Sequence, residues 1–484
     1  MKNEIFRLER ITKIEHGMTL LDNFNLHIFK GEIMGLVCIN AQGQEALIRL
    51  LCQNVPIHYG YVYFQEKLVN NYVHSSMSRN KVSVIKKRSR LVEAQSVADN
   101  IFVLRRGFKQ YLIRPKMLEE QLTRFTKKLQ IDIDANELVA NLSFFEKCVV
   151  ELLKAAIMGV KLVVIRDISN FISAADLKIF HDLMRYYTKQ GMSFLYLCNH
   201  HKEAFTICDH VSLMENGKIL KVLDQPNFSD EIILNYTLDF SRIDPPPIPK
   251  SGNSGVLKFE HVCTENMKDI SFTVEKGECV VFLDMNNTVL NDMLCLMNNE
   301  SKPLSGEILL DGESWREHGA RLKNDVCLIQ ENPIKNTIFQ DMTYLDNLCF
   351  LLEKKHPLLW THRNIQKSVV QEYGPLIGPD IYASDLTKLS PLSLYNLAYY
   401  KIHLYHPKVV FCVQPFSGAD MYLRHHLVSL IKQLREKKIT VIILAVSISD
   451  SLVVADRLMV LEQGRLSKEY HSEEFYYFQQ NQNL

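Results

Sequence analysis

The sequence lacks the marks of several large classes of protein. Its 484 residues carry a net charge of only +1, so there is no excess of positive charge of the kind that binds nucleic acid. No apolar run reaches the roughly 18 residues that a membrane-spanning helix needs. The most apolar stretch, residues 439–455, is interrupted by Ser447, Ser449 and Asp450, and residues 1–4 contain no apolar signal region. We therefore expect a cytosolic chain that neither spans a membrane nor binds nucleic acid.

Cysteine and histidine are present, but their spacing does not suit a metal ion. The eleven cysteines include no CxxC pair, which favours buried, reduced thiols in a cytosolic protein. The histidine pairs at 200–201 and 425–426 have no cysteine or carboxylate at ligand spacing. These histidines are better interpreted as surface or core residues, and no metal site is predicted.

The chain is too long for one hydrophobic core, and it contains an internal duplication. Short landmarks of the first half recur in the second half at a spacing of 246 or 247 residues. The matching pairs are Lys30–Glu32 and Lys276–Glu278, Asp99–Asn100 and Asp346–Asn347, Leu142–Ser143 and Leu389–Ser390, and Asp209 and Asp456. This constant spacing predicts two homologous halves, each of ordinary domain size.

The stretch between the halves has the composition of a linker. It contains three consecutive prolines, Pro245–Pro247, which favour extended polyproline geometry, and it ends in a flexible stretch rich in glycine and serine. We predict a first domain over residues 1–236, a linker over residues 237–254 and a second domain over residues 255–484.

Each half has the same order of predicted elements. A β-rich start leads to a strand, a loop and a helix, a helix-rich middle follows, and very apolar strands then alternate with helices. The apolar strands lie at 162–165 and 194–197 in the first half and at 409–412 and 439–444 in the second. This alternation predicts an α/β fold whose mostly parallel sheet is covered on both faces.

Residues 30–51 are the most informative stretch of the first half. Ile33–Cys38 is a short apolar run typical of a buried parallel strand, Asn40–Gly43 is a small polar loop, and the leucines that follow have helical spacing. Strand, tight loop and helix form the scaffold of a phosphate-binding loop, in which backbone N–H groups at a helix N-terminus surround an anion. The lysine that clamps phosphate and the serine or threonine that holds Mg²⁺ are replaced by Gln44 and Glu45.

The order and spacing of these elements resemble the ATP-binding cassette, and the tandem arrangement is similar to the ATP-binding subunit of ribose/galactose-type sugar importers. The resemblance covers essentially the whole chain. It implies two P-loop NTPase-like domains, each with a β-rich N-terminal subdomain and a helical subdomain. In that family each ATP lies between the phosphate loop of one cassette and the Leu-Ser-Gly-Gly-Gln signature of the other. The resemblance thus implies ATP and Mg²⁺ as cofactors, and membrane permease subunits or a paralogous ABC ATPase as partners. It also implies a cytoplasmic location, peripheral at the inner face of the cell membrane.

The first phosphate loop departs from the family pattern. Asn40 and Gly43 are retained, but the neutral amide of Gln44 cannot supply a point charge for phosphate oxygens. Glu45 would repel a phosphate oxygen by about 4 kcal/mol at about 4 Å and an effective dielectric near 20, or about three decades of affinity. A glutamate in a first helical turn also complements the helix dipole without any ligand. The aromatic residue that stacks on adenine matches Glu15, which has no π-surface.

The second phosphate loop, residues 284–291, is less recognisable. It has lost every glycine, and Leu290 stands where the lysine belongs. Without glycine the backbone cannot approach a phosphate so closely. Because Asn286, Asn287 and Thr288 are residue types that cap helices, an ordinary capped helix start explains this loop.

Other nucleotide-contacting positions are partly retained. The glutamine that senses the γ-phosphate and Mg²⁺ matches Lys87 in the first half and survives as Gln330 in the second. Lys87 lies in a basic run that a solvated surface explains, with phosphate binding as the alternative. The signature serines remain as Ser143 and Ser390 while the glycines are replaced. Helix capping explains both serines equally well.

The carboxylates needed for hydrolysis are also missing. ATP hydrolysis uses one carboxylate for Mg²⁺ and one that orients water, both directly after the apolar strand. The first half has a single carboxylate there, Asp167, and the second half has none. The switch histidine matches Asn199 and Val446. Asp167 and Gln414 stand at the catalytic-glutamate positions, and the remnant nucleotide site consists of Asn40, Gly43, Gln44, Glu45, Ser143, Gln330 and Ser390.

Substitutions that remove nucleotide chemistry but spare the scaffold indicate a pseudo-ATPase with sugar-importer architecture. It would act as a scaffold or regulatory partner of a permease or of an intact paralogue. Residues 100–106 and 344–349 stand where the resemblance places the contact with membrane subunits, although their apolar side chains also suit a core. The alternative is a working ATP-hydrolysing subunit of a carbohydrate importer with divergent motifs, in which Asp167 replaces the catalytic glutamate. A sensor for a different nucleotide or anion is a third hypothesis.

Overall fold

A computed structural model describes residues 3–15, 17–103, 120, 133–199, 201–229, 232, 255–285, 288–354, 362–446 and 449–475. The predicted linker, together with Asn286 and Asn287, lies outside these residues, as does most of the first helix-rich middle segment. The chain divides into two compact units. One is formed by Met1–Leu238 and Asp420–Tyr422, and the other by Asp239–Ala419 and Leu423–Leu484.

The first unit contains an antiparallel sheet and a larger, mostly parallel sheet. Its strands are β1 (Glu4–Glu15), β2 (Met18–Phe29), β3 (Ile33–Cys38), β4 (Tyr59–Phe64), β5 (Lys67–Asn71), β6 (Val82–Ile85), β7 (Leu162–Arg166), β8 (Ser193–Cys198), β9 (His210–Glu215) and β10 (Lys218–Asp224). In the described part, the sheets have the orders β2-β1-β4-β5 and β10-β9-β3-β8-β7-β6. All neighbours from β9 to β6 are parallel, and the edge strand β10 is antiparallel to β9. The described helices are α1 (Gln44–Cys52), α2 (Phe144–Ile157), α3 (Ala174–Thr188) and α4 (His201–Ile207).

The second half repeats this topology. Its strands are β11 (Gly255–Cys263), β12 (Ile270–Glu275), β13 (Cys279–Asp284), β14 (Ser305–Leu310), β15 (Glu313–Ser314), β16 (Val326–Ile329), β17 (Val409–Val413), β18 (Thr440–Ala445), β19 (Arg457–Glu462) and β20 (Arg465–His471). The sheet orders, over the same described ranges, are β12-β11-β14-β15 and β16-β17-β18-β13-β19-β20. Its helices are α5 (Leu290–Met297), α6 (Trp315–Leu322), α7 (Pro333–Asn336), α8 (Tyr344–Cys349), α9 (His362–Ile377), α10 (Pro391–Tyr405) and α11 (Met421–Glu436). The predicted α/β class with two repeated domains is confirmed.

The central strand of each parallel sheet is buried on both faces. In β3, Ile33 and Val37 belong to the core that includes α2, while Met34, Leu36 and Cys38 pack in the core shared with α1 and the antiparallel sheet. This double burial explains why the strand is an apolar run without alternation. It also places the end of β3, and the loop after it, at the edge of a rigid core.

The predictions about buried side chains are only partly correct. Seven cysteines are buried, but Cys52, Cys263, Cys295 and Cys327 are partly exposed, and all eleven are free thiols. The apolar side chains of Ile101 and Phe102, where a membrane contact was one interpretation, are buried in the core of the first unit. They are therefore not available as an exposed contact surface.

Candidate nucleotide site

The first phosphate loop joins the end of β3 to the start of α1. Gly43 is the N-cap of α1 with φ +86°, and a Cβ atom here would lie 2.4 Å from the backbone oxygen of Leu20. Glycine avoids both the left-handed strain and the collision. The Asn40 amide donates to Asn216 Oδ1 at 2.7 Å, and the Asn216 N–H donates to Asn40 Oδ1 at 3.1 Å. The loop therefore keeps its shape through contacts within the protein.

Gln44, at the position of the phosphate-clamping lysine, points into the protein. It is the first residue of α1, and only 5% of its surface is exposed. The pKa of the Cys38 thiol is raised overall by burial and by the charge of Asp167. A hydrogen bond with the Gln44 side chain opposes this rise only in part. The amide thus lies close to Cys38, the last residue of the strand that precedes the loop.

Arg166, the last residue of β7, lies beside two carboxylates. Its Nη1 donates a hydrogen bond to Glu45 Oε1 within an ion pair, and its Nε lies 3.5 Å from Asp167 Oδ2. Partial burial raises the pKa of Glu45, but the hydrogen bond and charge of Arg166 outweigh this effect and lower it overall. In the family that this chain resembles, the carboxylate that holds Mg²⁺ stands at the end of this strand. Here the guanidinium of Arg166 occupies that position. The guanidinium of Arg166 therefore offsets the negative charge of Glu45, whose side chain is 59% exposed.

The position of the adenine-stacking aromatic is also taken by an ion pair. Arg49 Nη2 donates to Glu15 Oε2 at 2.7 Å, and Lys13 Nζ lies 3.5 Å from Glu15 Oε1. The hydrogen bond from Arg49 is the main cause that lowers the pKa of Glu15. Arg49 lies one helical turn after Glu45 on α1, so charged contacts of the protein itself cover this face of the helix.

The second phosphate loop is closed by a carboxylate from the strand before it. Asp284, the last residue of β13, is 1% exposed. Its Oδ2 accepts the N–H groups of Val289 at 2.6 Å and Leu290 at 3.4 Å. These are N–H groups at a helix start, the kind that faces phosphate in a nucleotide-binding loop. The group that faces these N–H groups is therefore the Asp284 carboxylate of the protein itself.

The capping residue of this helix differs from the sequence prediction. The N-cap of α5 is Val289, whose side chain accepts no hydrogen bond, and Thr288 is exposed. The acceptor is Asp284, five residues before Val289. Standard capping patterns pair an N-cap side chain with an N–H two or three residues later. They give no signal for an acceptor on the preceding strand.

Both signature serines are helix caps. Ser143 is the N-cap of α2 in a capping box, in which the Glu146 N–H donates to its hydroxyl at 3.2 Å and its own N–H donates to Glu146 at 2.7 Å. Ser390 is the N-cap of α10 and accepts the N–H of Ser393 at 3.2 Å. These contacts account for both serines without a nucleotide.

The remaining predicted positions follow the ends of neighbouring parallel strands within each unit. In the first unit, Lys87 lies over the ring of Phe171 with its Nζ 4.4 Å from the centroid, and Asn199 is buried. In the second unit, Gln330 is exposed at the end of β16. Gln414 has a φ of 43°, and its N–H donates to the Leu444 oxygen at 2.8 Å. None of these contacts forms an acid–base pair.

The described part of the chain contains neither a candidate metal-binding cluster nor a membrane-spanning helix. No group of three or more histidine, cysteine, aspartate or glutamate side chains there could hold a metal ion. The helices of the same part are all too short or too polar to cross a lipid bilayer.

The chain is similar to known ATP-binding proteins of transporters. Residues 21–167 match the family described as ABC transporter. The chain is 22% identical to the ribose import ATP-binding protein RbsA of Caldanaerobacter subterraneus over 97% of each chain. The similarity to a sugar-import ATP-binding protein therefore extends over nearly the whole chain. It is also 22% identical to the xylose import ATP-binding protein XylG of Moorella thermoacetica, over 98% of this chain and 97% of that one. A solved nucleotide-free ATP-binding cassette from an ABC transporter has 18% identity and a TM-score of 0.41, and covers 48% of this chain and 94% of that chain.

The residues that are present do not fit Mg-ATP in the way that the resembled ATP-binding cassettes bind it. In the first cassette, an amide and a guanidinium stand at the phosphate-lysine and Mg²⁺-carboxylate positions, as Gln44 and Arg166. In the second, the Asp284 carboxylate accepts the N–H groups at the helix start. A bound phosphate would compete with this anion, so no reaction step through ATP is assigned.

Proposed function

We propose that this tandem cassette protein is a homologue of the ATP-binding subunits of monosaccharide importers that does not hydrolyse ATP. It serves as a scaffold or regulatory partner of a membrane permease, or of an intact paralogue, at the cytoplasmic face of the membrane. Similarity to ribose and xylose import ATP-binding proteins over nearly the whole chain supports the sugar-import assignment. The predicted domain boundaries, at residues 236 and 255, are part of the same proposal.

The ion pair between Glu45 and Arg166 carries the non-hydrolysing part of the proposal. Glu45 places a negative charge beside the phosphate loop, Arg166 stands in place of a carboxylate for Mg²⁺, and the two side chains compensate each other's charge. Paired substitutions of this kind keep the cassette folded after Mg²⁺ and phosphate are no longer ligands. The second cassette supports the proposal independently, because Asp284 supplies its own anion to the helix start.

The competing proposal of a working ATPase depends on Asp167. That carboxylate lies 3.5 Å from Arg166 Nε, and a guanidinium contact of this kind opposes its action as a base. Asp167 also follows Arg166 directly, so no second carboxylate precedes it for Mg²⁺.

The experiment is a nucleotide titration of the full chain and of a revertant that carries Gln44→Lys, Glu45→Ser and Arg166→Asp. Binding of a fluorescent ATP analogue with Mg²⁺ is measured together with phosphate release. We expect no saturation by 1 mM nucleotide for the natural chain, and binding at least tenfold tighter for the revertant. The control variant carries Arg7→Asp and Glu9→Ser, which exchange another ion pair of the first unit with N–O distance 2.9 Å. Micromolar affinity and Mg²⁺-dependent turnover by the natural chain would establish the ATPase instead.

The scaffold role is tested with an intact tandem ATPase and a sugar permease expressed together with this chain. Co-purification in detergent, with a changed ATPase rate of the intact subunit, is the expected result. The proposal would be contradicted if this chain changed neither the ATPase rate of the intact subunit nor the complex that this subunit forms with the permease.

A further inference from the structure

The second unit contains a cavity of about 410 Å³ that lies apart from the loop at Asp284. Its walls come from α5, β16, the segment after α7 and α10. They are mostly apolar and aromatic, and include Leu294, Met297, Phe339, Phe350, Lys401 and Tyr405. Two lysines, Lys323 and Lys401, line the cavity, and its described lining includes no aspartate or glutamate. A mostly apolar cavity with a few convergent polar groups is typical of a ligand site.

Lys401 is an unusual residue for such a wall, because its side chain is buried with 2% of the residue exposed. Its Nζ donates one hydrogen bond to the Thr337 oxygen at 3.1 Å and lies 4.8 and 4.9 Å from the ring centroids of Phe339 and Phe350. Among the described residues it has no carboxylate within ion-pair distance. Burial lowers the pKa of Lys401 to about 8. Burial of an ammonium ion without a counter-charge is unfavourable, and an anion in this cavity would supply that counter-charge.

The matching position of the first half differs in its charged neighbours. The spacing of 247 residues relates Lys401 to Lys154, which lies one helical turn after Glu151 on α2. Burial lowers the pKa of Lys154, and the charge of Glu151 opposes that shift. The residue that matches Glu151 in the second half is Ala398, which is fully buried. The second unit therefore keeps the lysine and lacks its carboxylate.

Two half-exposed rings lie over this cation. Phe339 and Phe350 have 46% and 37% of their surface exposed, and their centroids are 4.6 Å apart. The two rings offer an apolar contact surface. The Lys401 ammonium offers a positive charge at 4.8 and 4.9 Å from the ring centroids. A ligand that satisfies both features carries a negative charge on an apolar body.

We propose that this cavity binds a carboxylate carried on an apolar body, with Lys401 as its charge partner and the two phenylalanine rings against its apolar part. The carboxylate belongs either to a free organic acid or to an acidic side chain of a polypeptide segment. The site lies outside the phosphate loops, so it goes beyond the proposed function and needs no nucleotide.

Calorimetric titration of the full chain with two pairs of probes tests the proposal. The first pair is sodium 3-phenylpropionate and neutral 3-phenylpropanamide, which have nearly the same shape. The second is a pentapeptide blocked at both ends, Ala-Leu-Glu-Phe-Ala, and its analogue with Gln in place of Glu. We expect the charged member of at least one pair to bind at least tenfold more tightly than the neutral member. If the charged member of the first pair binds more tightly than the neutral one, the ligand is a free organic acid. If only the peptide pair shows this difference, the ligand is an acidic side chain of a polypeptide.

Substitutions then locate the binding. Lys401→Met should reduce the charge preference to less than twofold, whereas the matched control Lys154→Met should leave it unchanged. The proposal would be overturned if the charged and neutral probes of both pairs bound equally or did not bind. It would also be overturned if the preference for the charged probe persisted in Lys401→Met.

If Lys401→Met does not fold, Phe350→Leu replaces it. The control is then Tyr382→Leu, which changes an exposed ring elsewhere in this unit. Phe350→Leu should weaken the charged probe at least threefold, and unchanged binding would contradict the site. ATP turnover is measured separately, so failure here is distinguishable from failure of the proposed function.

Discussion

The guanidinium of Arg435 donates two hydrogen bonds to the carboxylate of Asp456, at 2.8 and 2.6 Å, and both side chains are 3% exposed. The same carboxylate accepts the N–H of Cys279 at 2.8 Å, which fixes the first residue of β13. An aspartate that recurs in both halves thus anchors the central strand from a position far away in the chain.

The first unit contains the corresponding contacts in a more exposed setting. Arg185 donates to Asp209 at 2.8 Å, and Asp209 accepts the N–H of Ile33, the first residue of β3, at 2.8 Å. The side chains of this pair are 36% and 30% exposed. The two halves therefore offer the same ion pair at two depths of burial.

We expect Arg435→Met to destabilise β13 by about 3–5 kcal/mol, because it leaves the buried Asp456 charge uncompensated. The matched change Arg185→Met should cost about 1 kcal/mol or less, since water screens the more exposed pair. Native-state hydrogen exchange of the β13 and β3 amides reports on each unit separately. Equal losses of protection in the two strands would contradict the assignment of burial as the cause.

Replacement of Gly43 by alanine should destabilise the first phosphate loop strongly. The new Cβ would lie 2.4 Å from the Leu20 oxygen, in a backbone conformation with φ +86°, and we expect a loss of roughly 3 kcal/mol in the free energy of unfolding. Gly159→Ala is the control, because its φ is +66° but no atom lies within 4 Å of the added Cβ. It should cost about 1 kcal/mol. Urea unfolding curves of the two variants measure the difference, and similar midpoints would exclude a steric role at Gly43.

Removal of the Asp284 carboxylate should destabilise the start of α5. Asp284→Ala leaves the Val289 and Leu290 N–H groups without this acceptor, and we expect a loss of about 2 kcal/mol. Asp284→Asn retains an acceptor oxygen and should cost less than half as much. Thermal unfolding of both variants gives the comparison. If Asn were as harmful as Ala, the carboxylate charge rather than its hydrogen bonds would hold the loop.

His181 should make the stability of the first unit depend on pH. Burial lowers the pKa of His181 to about 4, while in the unfolded chain histidine titrates near about 6.5. Between these values the unfolded state binds the proton and the folded state does not, so stability rises with pH and is lost as the pH falls from 7 towards 4. The loss between pH 7 and pH 5 is roughly 2 kcal/mol for this group.

His181→Phe, which removes the titrating imidazole, should reduce the loss of stability between pH 7 and pH 5 by that amount. It also removes the contact between His181 Nε2 and the Tyr196 hydroxyl at 3.2 Å, so the comparison uses the slope with pH and not the absolute stability. His261→Gln is the control, since the His261 side chain is 80% exposed. Denaturant unfolding at a series of pH values gives the slopes, and an unchanged slope for His181→Phe would contradict the prediction.

Local patterns predicted the elements better than they predicted contacts. The run Ile33–Cys38 predicted a buried parallel strand, because a strand covered on both faces has no polar side. Ser143 and Ser390 were interpretable as caps from their spacing to the next helix, and both are N-caps. Thr288 was not the cap of its helix, because the N–H groups found a stronger acceptor in Asp284, on the strand before it.

Repeated spacing and residue types were enough to predict the duplication, the α/β order of elements and the absence of the lysine, carboxylates and histidine that ATP hydrolysis uses. Repeated spacing and periodicity report on the local backbone and on burial, and residue identity reports on chemistry. Which contacts take the place of those groups became visible in the folded chain. Glu45 and Arg166 are 121 residues apart and meet because α1 and the end of β7 lie at the same edge of the sheet. The buried Lys401 depends in the same way on rings from distant segments, and no spacing in the sequence encodes which side chains will meet.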